Sequence, residues 1–472
     1  MDARRIPVRR VGDMEGTTCC FDLTDIVRYA QSNERVTGIQ RVQVNLLGHL
    51  VRTHGGQLIR CVFYHPRRKH MVEVDASALF DGPEFDALAM RQRLRVERGS
   101  RWLPTRNSRK RYLARYQGRT LRRALGKVDI WLASLFMPRR LAAMGLARQR
   151  VVHDALPLRR IERLPDGVPY VFLSAGVKVE PVVRFAEEHV KRGGEVVHLV
   201  YDLLPLVHPE YFTAGMVDDY REWMTELRKL RPRAICISEW TADDLRRTLG
   251  DEAAAWDIQA MPMAHELLGF QRNADVQRPS APDSRLPDKP YVLCVGTLEV
   301  RKNGDGLLQA WKRLLDSGRR DMPMLVFAGR RGWLTDAFAA LLEDSAPLRE
   351  HVHIVDSPSD TELAWLYRHC LFTVYPSHYE GWGLPVGESA WFGRYCIASR
   401  SSSIPEVCGE LIDYVDPADP DDIARRLAHA LDHPEHVRTH EAAIRAAPLR
   451  RWTDVADDIL RLVRAPPRRH AT

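Results

Sequence analysis

PSHYEGWGLPVGES, residues 376–389, decides how this chain is to be read. Glu380 and Glu388 bracket a turn containing Gly381 and Gly383, and Pro385 stands where a helix would begin. Directly before it, LFTVYPS (371–377) is apolar and β-branched enough for a buried strand. The expected order is therefore strand, glycine turn, helix N-terminus. Glycines let the backbone approach a ligand closely, and the free N–H groups of a first helical turn attract phosphate. The two carboxylates are hydrogen-bond acceptors, suited to sugar hydroxyls. Phosphate-binding backbone beside hydroxyl-binding acids points to a nucleotide-sugar site.

The surrounding segments extend the pattern. In YVLCVGTLEVRKNGDGLLQAW (291–311) a strand ends at Gly296, a loop presents Arg301 and Lys302, and a helix follows. MLVFAGRRGW (324–333), VHIVDSPSDTELAWLYRHC (352–370) and SSSIPEV (401–407) continue it in order. Together with 376–389 these stretches resemble the retaining glycosyltransferases of family 4, which have the GT-B fold. The resemblance implies that Arg301 and Lys302 bind the donor diphosphate, with Gly296, Thr297, Gly381, Trp382, Gly383 and Leu384 also at the donor. It assigns Glu388 to the ribose hydroxyls and sets Glu380 near the reacting sugar. Glu380 would either bond the sugar and stabilise positive charge at the anomeric carbon or act covalently; the residues leave both open. Lys302, Glu380 and Asp202 form the expected catalytic group.

The first half of the chain is similar to a narrower group, bacterial mannosyl- and rhamnosyltransferases of surface polysaccharide synthesis. The segments are FDLTDIVRYAQSNERVTGIQRVQ (21–43), FLSAGVKVE (172–180), VVHLVYDLLPLVHPEYF (196–212) and AICISEWTADDL (234–245). Many family members have His-Asp where this chain has Tyr201-Asp202, so the donor-sugar role of that histidine is unfilled or reassigned here. Thr37 and Gln40 fit a capping box, while the resemblance makes Gly38 and Arg41 donor-binding candidates. Asp202 reads as a cap for DLLPL or as an acceptor or donor contact. Ser238 reads as a helix N-cap, Ser174 and Gly176 as cleft lining, and His208 and His378 as local hydrogen-bonding residues.

Length and composition bound the rest. A chain of 472 residues exceeds one ordinary core, and 45% hydrophobic with 28% charged residues describes a globular protein. No apolar run approaches the ~20 residues that cross a bilayer, and MDARRIPVRRVGDMEG lacks an export core. The expectation is a cytoplasmic protein, peripheral on the inner face of the plasma membrane. The eight cysteines lack zinc-ligand spacing, and most fall in expected strands or at helix ends. Asp419 and Asp421 form the one Asp-x-Asp near a plausible site, and helix capping explains it better than manganese. No metal and no cofactor beyond a nucleotide-sugar co-substrate are expected.

Of the net charge of +8, the segment Arg91–Arg123 carries +12, from 12 Arg and 1 Lys against Glu97, leaving −4 elsewhere. With its interleaved Trp102, Tyr112 and Tyr116 it suits an anionic lipid surface, or equally a solvated, partly helical insertion with no partner. Nucleic acid is not expected, because this segment alone would support it.

From 287 onward, strands near 291–296, 323–328, 352–355, 371–376, 394–398 and 412–415 alternate with helices near 304–317, 334–346, 360–369, 385–393 and 420–432. That alternation implies a parallel sheet covered on both faces. In the first half, strands are expected near 17–22, 57–64, 127–132, 169–173, 196–201 and 234–238. The fold expected is α/β of GT-B type, two doubly wound Rossmann-like domains facing across a cleft. An acceptor-side domain would span 1–280 with the basic insertion 91–123, and a donor domain 287–447. A helix over 448–464 would cross back to the first domain, anchored by Trp452, and 465–472 would be a disordered tail. The function expected is transfer of a hexose, mannose from GDP-mannose foremost, to a polyprenyl-diphosphate-linked or saccharide acceptor. A nucleotide-sugar epimerase of the same fold and a catalytically degenerate scaffold are the alternatives.

Overall fold

The computed structural model describes residues 18–33, 36, 38–54, 58–80, 85–96, 109, 112–113, 116, 120–136, 140, 154–174, 179–272, 275–279, 286–319, 321–333 and 335–466. Fourteen strands lie among them. The first eight are β1 (Cys19–Asp22), β2 (Ile59–His65), β3 (His70–Val74), β4 (Leu158–Arg160), β5 (Tyr170–Phe172), β6 (Val196–Val200), β7 (Arg233–Cys236) and β8 (Ile258–Ala260). The remaining six are β9 (Tyr291–Val295), β10 (Met324–Gly329), β11 (Val352–Asp356), β12 (Thr373–Tyr375), β13 (Cys396–Ser399) and β14 (Asp413–Val415). They form an eight-stranded sheet of order β4-β3-β2-β1-β5-β6-β7-β8 and a six-stranded sheet of order β11-β10-β9-β12-β13-β14. The sheets change over between Ala260 and Tyr291, the interval holding the Pro- and Asp-rich stretch 270–290.

Spatially the chain groups into two compact units that divide elsewhere. One comprises Met1–Leu199, Thr225–Arg233 and Val463–Ala465, the other Val200–Met224, Ala234–Leu462 and Pro466–Thr472. Residues after β6 and β7 join the second unit because they bond to it. The Trp333 indole donates to the Tyr211 carbonyl at 2.9 Å, and Glu406 accepts the Glu239 and Trp240 N–H groups at 2.8 Å each.

Two expectations about the first unit are corrected. Residues 127–132 lie inside a helix, Thr120–Phe136, whose inner face buries Ile130 and Ala133 beside Leu113. The short apolar run VDIWLAS belongs to a 17-residue helical pattern, and length decides between the two readings. The sheet is also not wholly parallel. β2, β3 and β4 pair antiparallel, Cys61 opposite Val74 and Val72 opposite Arg160, through short strands whose brief patterns went unread. The basic insertion lies largely outside the described residues, as do Thr37, Gly176 and tail residues 467–472.

The six-stranded sheet is parallel in every pair described, and its strand residues alternate between two cores. Val292, Cys294, Leu325 and Phe327 meet Leu307 and Trp311 on one face. Tyr291, Leu293, Val326 and Ala328 meet Leu363, Leu366 and Phe392 on the other. Helices Gly304–Asp316 and Pro420–Asp432 cover the first face, and Asp360–His369 with Leu384–Trp391 the second. With both faces covered, the loops at the carboxyl ends of the strands remain for ligands.

Candidate active site

Two of those loops are bound to each other by the backbone. After β9 the chain passes Gly296, whose φ of +152° favours glycine, and enters a 3-10 turn, Val300–Lys302. Asn303 closes that turn in the left-handed region at φ +57°, and its amide donates to the Pro376 and Pro417 carbonyls at 3.0 and 2.7 Å. The His378 N–H and Ser377 hydroxyl both donate to the Arg301 carbonyl, at 2.9 and 3.1 Å. The Arg-Lys turn is thereby fixed against the loop after β12.

The result is a quartet of alternating charge, in which buried Glu299 and Glu380 meet partly buried Arg301 and Lys302. Lys302 Nζ donates to Glu380 Oε1 at 2.5 Å, and the Arg301 guanidinium reaches Glu380 Oε2 and Glu299 Oε1 at 2.6 Å each. The Tyr375 and Ser377 hydroxyls also donate to Glu380 Oε1, at 2.8 and 2.6 Å. Burial pushes the Glu380 carboxyl up, but Arg301 and Lys302 outweigh it and hold the group down at about 2. Burial also disfavours the Lys302 ammonium, whose charge Glu380 supports. Lys302, Tyr375, Gly296, Thr297 and Glu299 further line an open pocket.

The glycine turn has its own steric logic. A Cβ at Gly381 would meet the Tyr201 carbonyl oxygen at 2.0 Å, so only glycine permits this approach. Thr241 Oγ1 donates to the Gly381 carbonyl at 3.3 Å. Gly383 has φ +121°, and the helix Leu384–Trp391 starts directly after it with Pro385 in its first turn. Glu380 is clamped through its backbone as well, its N–H donating to Ser402 Oγ and its carbonyl accepting from Ser403 Oγ, both at 2.8 Å.

Of the residues singled out in the sequence, the structure brings Arg301, Lys302, Glu380, Gly381 and Asp202 together. Asp202 Oδ1 accepts the Leu204 N–H at 3.2 Å from one position before the N-cap, which is Leu203. Its carboxyl is pushed up to about 6 by burial, with Arg301 pulling the other way. Glu388 is buried in the helix Leu384–Trp391 and accepts from the Tyr367 hydroxyl at 2.9 Å. Trp382 is buried, and its indole N–H has no protein acceptor among the described residues. Gly38, at φ +52°, and Arg41 belong to the other compact unit, where the Arg41 N–H donates to the Gly38 carbonyl at 3.0 Å. Ser174 is buried in that unit.

Ser238 caps the helix Glu239–Leu249, its hydroxyl accepting the Thr241 N–H at 3.0 Å, and Asp419 likewise accepts the Asp421 N–H at 2.9 Å. His208 bonds Glu210 at 2.9 Å, and His378 stacks on Tyr211. Sequence reasoning passed over Glu299, Tyr375, Ser377, Ser402 and Ser403. Tyr375 and Ser377 stood inside LFTVYPS, where a hydroxyl on each of two residues flanking Pro376 was the available signal.

Comparison with known proteins bears on this geometry. Residues 277–449 match the family model described as Glycosyl transferases group 1. The chain is 28% identical over 240 residues to the serotype-specific mannosyltransferase WbdA of Escherichia coli, covering 48% of this chain and 29% of that protein. It is 38% identical over 142 residues to the O-antigen chain mannosyltransferase B of Escherichia coli, covering 30% and 36% respectively. The matches thus span about a third of the length of these relatives. Two solved structures share the fold. Sucrose-phosphate synthase from Thermosynechococcus elongatus gives a TM-score of 0.55 at 16% identity, covering 95% of this chain and 98% of that one. Anabaena HepE in complex with UDP and glucose gives 0.53 at 11% identity, covering 95% and 99%. The chain has the GT-B fold, resembles bacterial O-antigen mannosyltransferases, and carries over residues 277–449 a group 1 glycosyl transferase domain.

Proposed function

We propose that the chain is a retaining glycosyltransferase moving a hexose, mannose from GDP-mannose foremost, to a lipid-linked or oligosaccharide acceptor in bacterial polysaccharide synthesis. The observation that carries this reading is the Glu299–Arg301–Glu380–Lys302 quartet beside a glycine turn that opens a helix. The names of the relatives, both mannosyltransferases, support the sugar. Two fixed cations beside the glycine turn suit a diphosphate. As the bond to the sugar breaks, negative charge builds on the nucleotide, and Arg301 and Lys302 would stabilise it without a metal. Glu380, ionised at working pH, would face the sugar and the positive charge at its anomeric carbon. Until the donor arrives, the carboxylates hold both cations in position and offset the cost of burying them.

The test is calorimetric titration with GDP, UDP and their hexose conjugates, with and without EDTA. The expected result is metal-independent binding of one nucleotide, lost in Lys302→Ala and weakened in Glu388→Ala. Absence of binding at millimolar concentration would remove the donor site. Product formation with purified acceptor, measured by mass spectrometry, separates transfer from epimerisation.

The same reading includes contact with an anionic membrane. No helix among the described residues is long and apolar enough to cross a bilayer. The helix Thr120–Phe136, however, exposes Leu125, Val128, Trp131 and Leu132 at 59%, 53%, 58% and 43%. Arg122, Arg123 and Lys127 are exposed on it too, and Arg91–Arg123 adds further charge. Apolar side chains among cations suit an interfacial helix on anionic lipid. Cosedimentation with phosphatidylglycerol vesicles is expected for the intact chain and is expected to fall with Trp131→Ser and Leu125→Ser combined. Equal binding by that variant would remove this helix from the proposal.

A further inference from the structure

A second cluster of ionisable groups sits at the opposite end of the six-stranded sheet. Asp413 begins the edge strand β14, in register with Ile397 of β13, and so lies at the amino ends of these parallel strands. The quartet lies at their carboxyl ends. Asp413 is met by His436 and His440, one helical turn apart on the helix Pro434–Ala446. His436 Nε2 is 2.9 Å from Asp413 Oδ2, and His440 Nε2 is 3.8 Å from Asp413 Oδ1. The three ligand atoms lie within 4.8 Å of one another.

The hydrogen bond on the far side of His440 is informative. His440 Nδ1 is 2.9 Å from the Leu411 carbonyl, which only accepts, so Nδ1 carries the proton. Nε2 then faces a carboxylate oxygen 3.8 Å away, a gap in which a positive centre, a proton or a metal ion, fits. A backbone carbonyl behind one ring nitrogen is also the arrangement that orients a metal-binding imidazole. Tetrahedral ligands at ~2.05 Å from zinc stand about 3.3 Å apart, between the two separations seen here.

Tyr395 OH donates to Asp413 Oδ2 at 2.6 Å, the supporting contact expected around a ligating carboxylate. Arg426 NH1, 3.3 Å from the same oxygen, is the competing cation, and its side chain is 38% exposed and free to swing outward. The ring of His429 lies 4.8 Å from that of His436, near enough to add a ligand by rotation.

We propose that Asp413, His436 and His440 form a binding site for a divalent transition-metal ion of zinc type, which clasps β14 to the helix Pro434–Ala446 and is separate from the sugar-transfer site. The mixed nitrogen and oxygen donors suit zinc and exclude a dedicated calcium or magnesium cage.

The test is competitive calorimetry of the EDTA-stripped full chain with Zn²⁺, followed by melting with and without the ion. One ion per chain at micromolar affinity or tighter is expected, together with a raised Tm. His436→Gln with His440→Gln should weaken binding by at least the ~10–100-fold that losing even an outer partner costs, and should abolish the Tm shift. His433→Gln should bind as the parent does. Should the double variant fail to fold, Co²⁺ absorption of the parent chain decides: intense tetrahedral bands support the site, weak octahedral bands overturn it. Absence of one-to-one binding, or binding unchanged in the double variant, also overturns it. Because the readouts are metal affinity and melting, the outcome is independent of the transferase reading.

Discussion

One sheet carries two charged clusters, at its carboxyl ends and at one amino end, and burial separates their physics. Around Glu380 the partners are mostly withdrawn from water: Glu380 side-chain exposure is 9%, against 12% for Arg301 and 17% for Lys302. Around Asp413 the partners reach water, His436 at 28% and Arg426 at 38%. In the first cluster each charge makes its neighbour tolerable. In the second, water can take the place of a lost partner. A deeply buried ion pair therefore fails badly when half of it is removed, and a half-exposed one does not.

The largest expected effect tests that contrast directly. Lys302→Met leaves Glu380 buried with part of its compensation gone, and urea unfolding should show a loss on the order of 3–5 kcal/mol. Adding Glu380→Gln to Lys302→Met should recover part of it, whereas transferase activity should stay lost in both variants. If Lys302→Met melts like the parent, the two clusters are alike and the contrast fails.

Next comes Gly381→Ala. Its Cβ would fall 2.0 Å from the Tyr201 carbonyl oxygen, so the backbone must shift. A cost of about 1–3 kcal/mol in unfolding is expected, with donor affinity reduced as the turn moves. Full affinity would show that the turn need not pack on Tyr201.

pH sharpens the comparison further. Glu380 is held at about 2, below the ordinary 4.5, so its pairing stabilises the fold above pH ~4.5, and that contribution is lost as pH falls toward 2. Asp202 is displaced the other way, up to about 6. If its carboxylate takes part in transfer, kcat/KM should rise with pH through about 6, and Asp202→Asn should remove that limb. A limb that persists in the variant belongs to another group.

The smallest effect is expected from Arg426→Gln without added metal. With its side chain 38% exposed, its pairing with Asp413 contributes about 0–1 kcal/mol, and melting should barely change. A loss as large as that of Lys302→Met would erase the distinction.

The second half of the chain was the more legible, for a physical reason. Its strands are buried on both faces, so VLCVG and MLVFAG read as continuous apolar runs, and short connections keep the alternation regular. In the first half, β3 and β4 are short antiparallel edge strands, and 127–132 mimics a strand within a helix. Arg301, Lys302 and Glu380 were visible because each stands in a loop directly after a buried apolar strand, where open α/β sheets place their ligands. Ser402 and Ser403 were not, since a serine that clamps a backbone 22 or 23 residues away looks like any loop serine. His436 and His440 were overlooked because their partner, Asp413, is brought near by the sheet edge and not by sequence.

The eight cysteines have a practical consequence. All are buried and unpaired, and burial pushes several thiols well up, Cys19 and Cys294 to about 12. Since the thiolate is the reacting species, maleimides and iodoacetamide should modify the folded chain slowly. A single cysteine introduced on the surface would then be the one fast-labelling position. A fluorophore at residue 131, in place of the exposed indole, would report directly on vesicle contact without first stripping the native thiols.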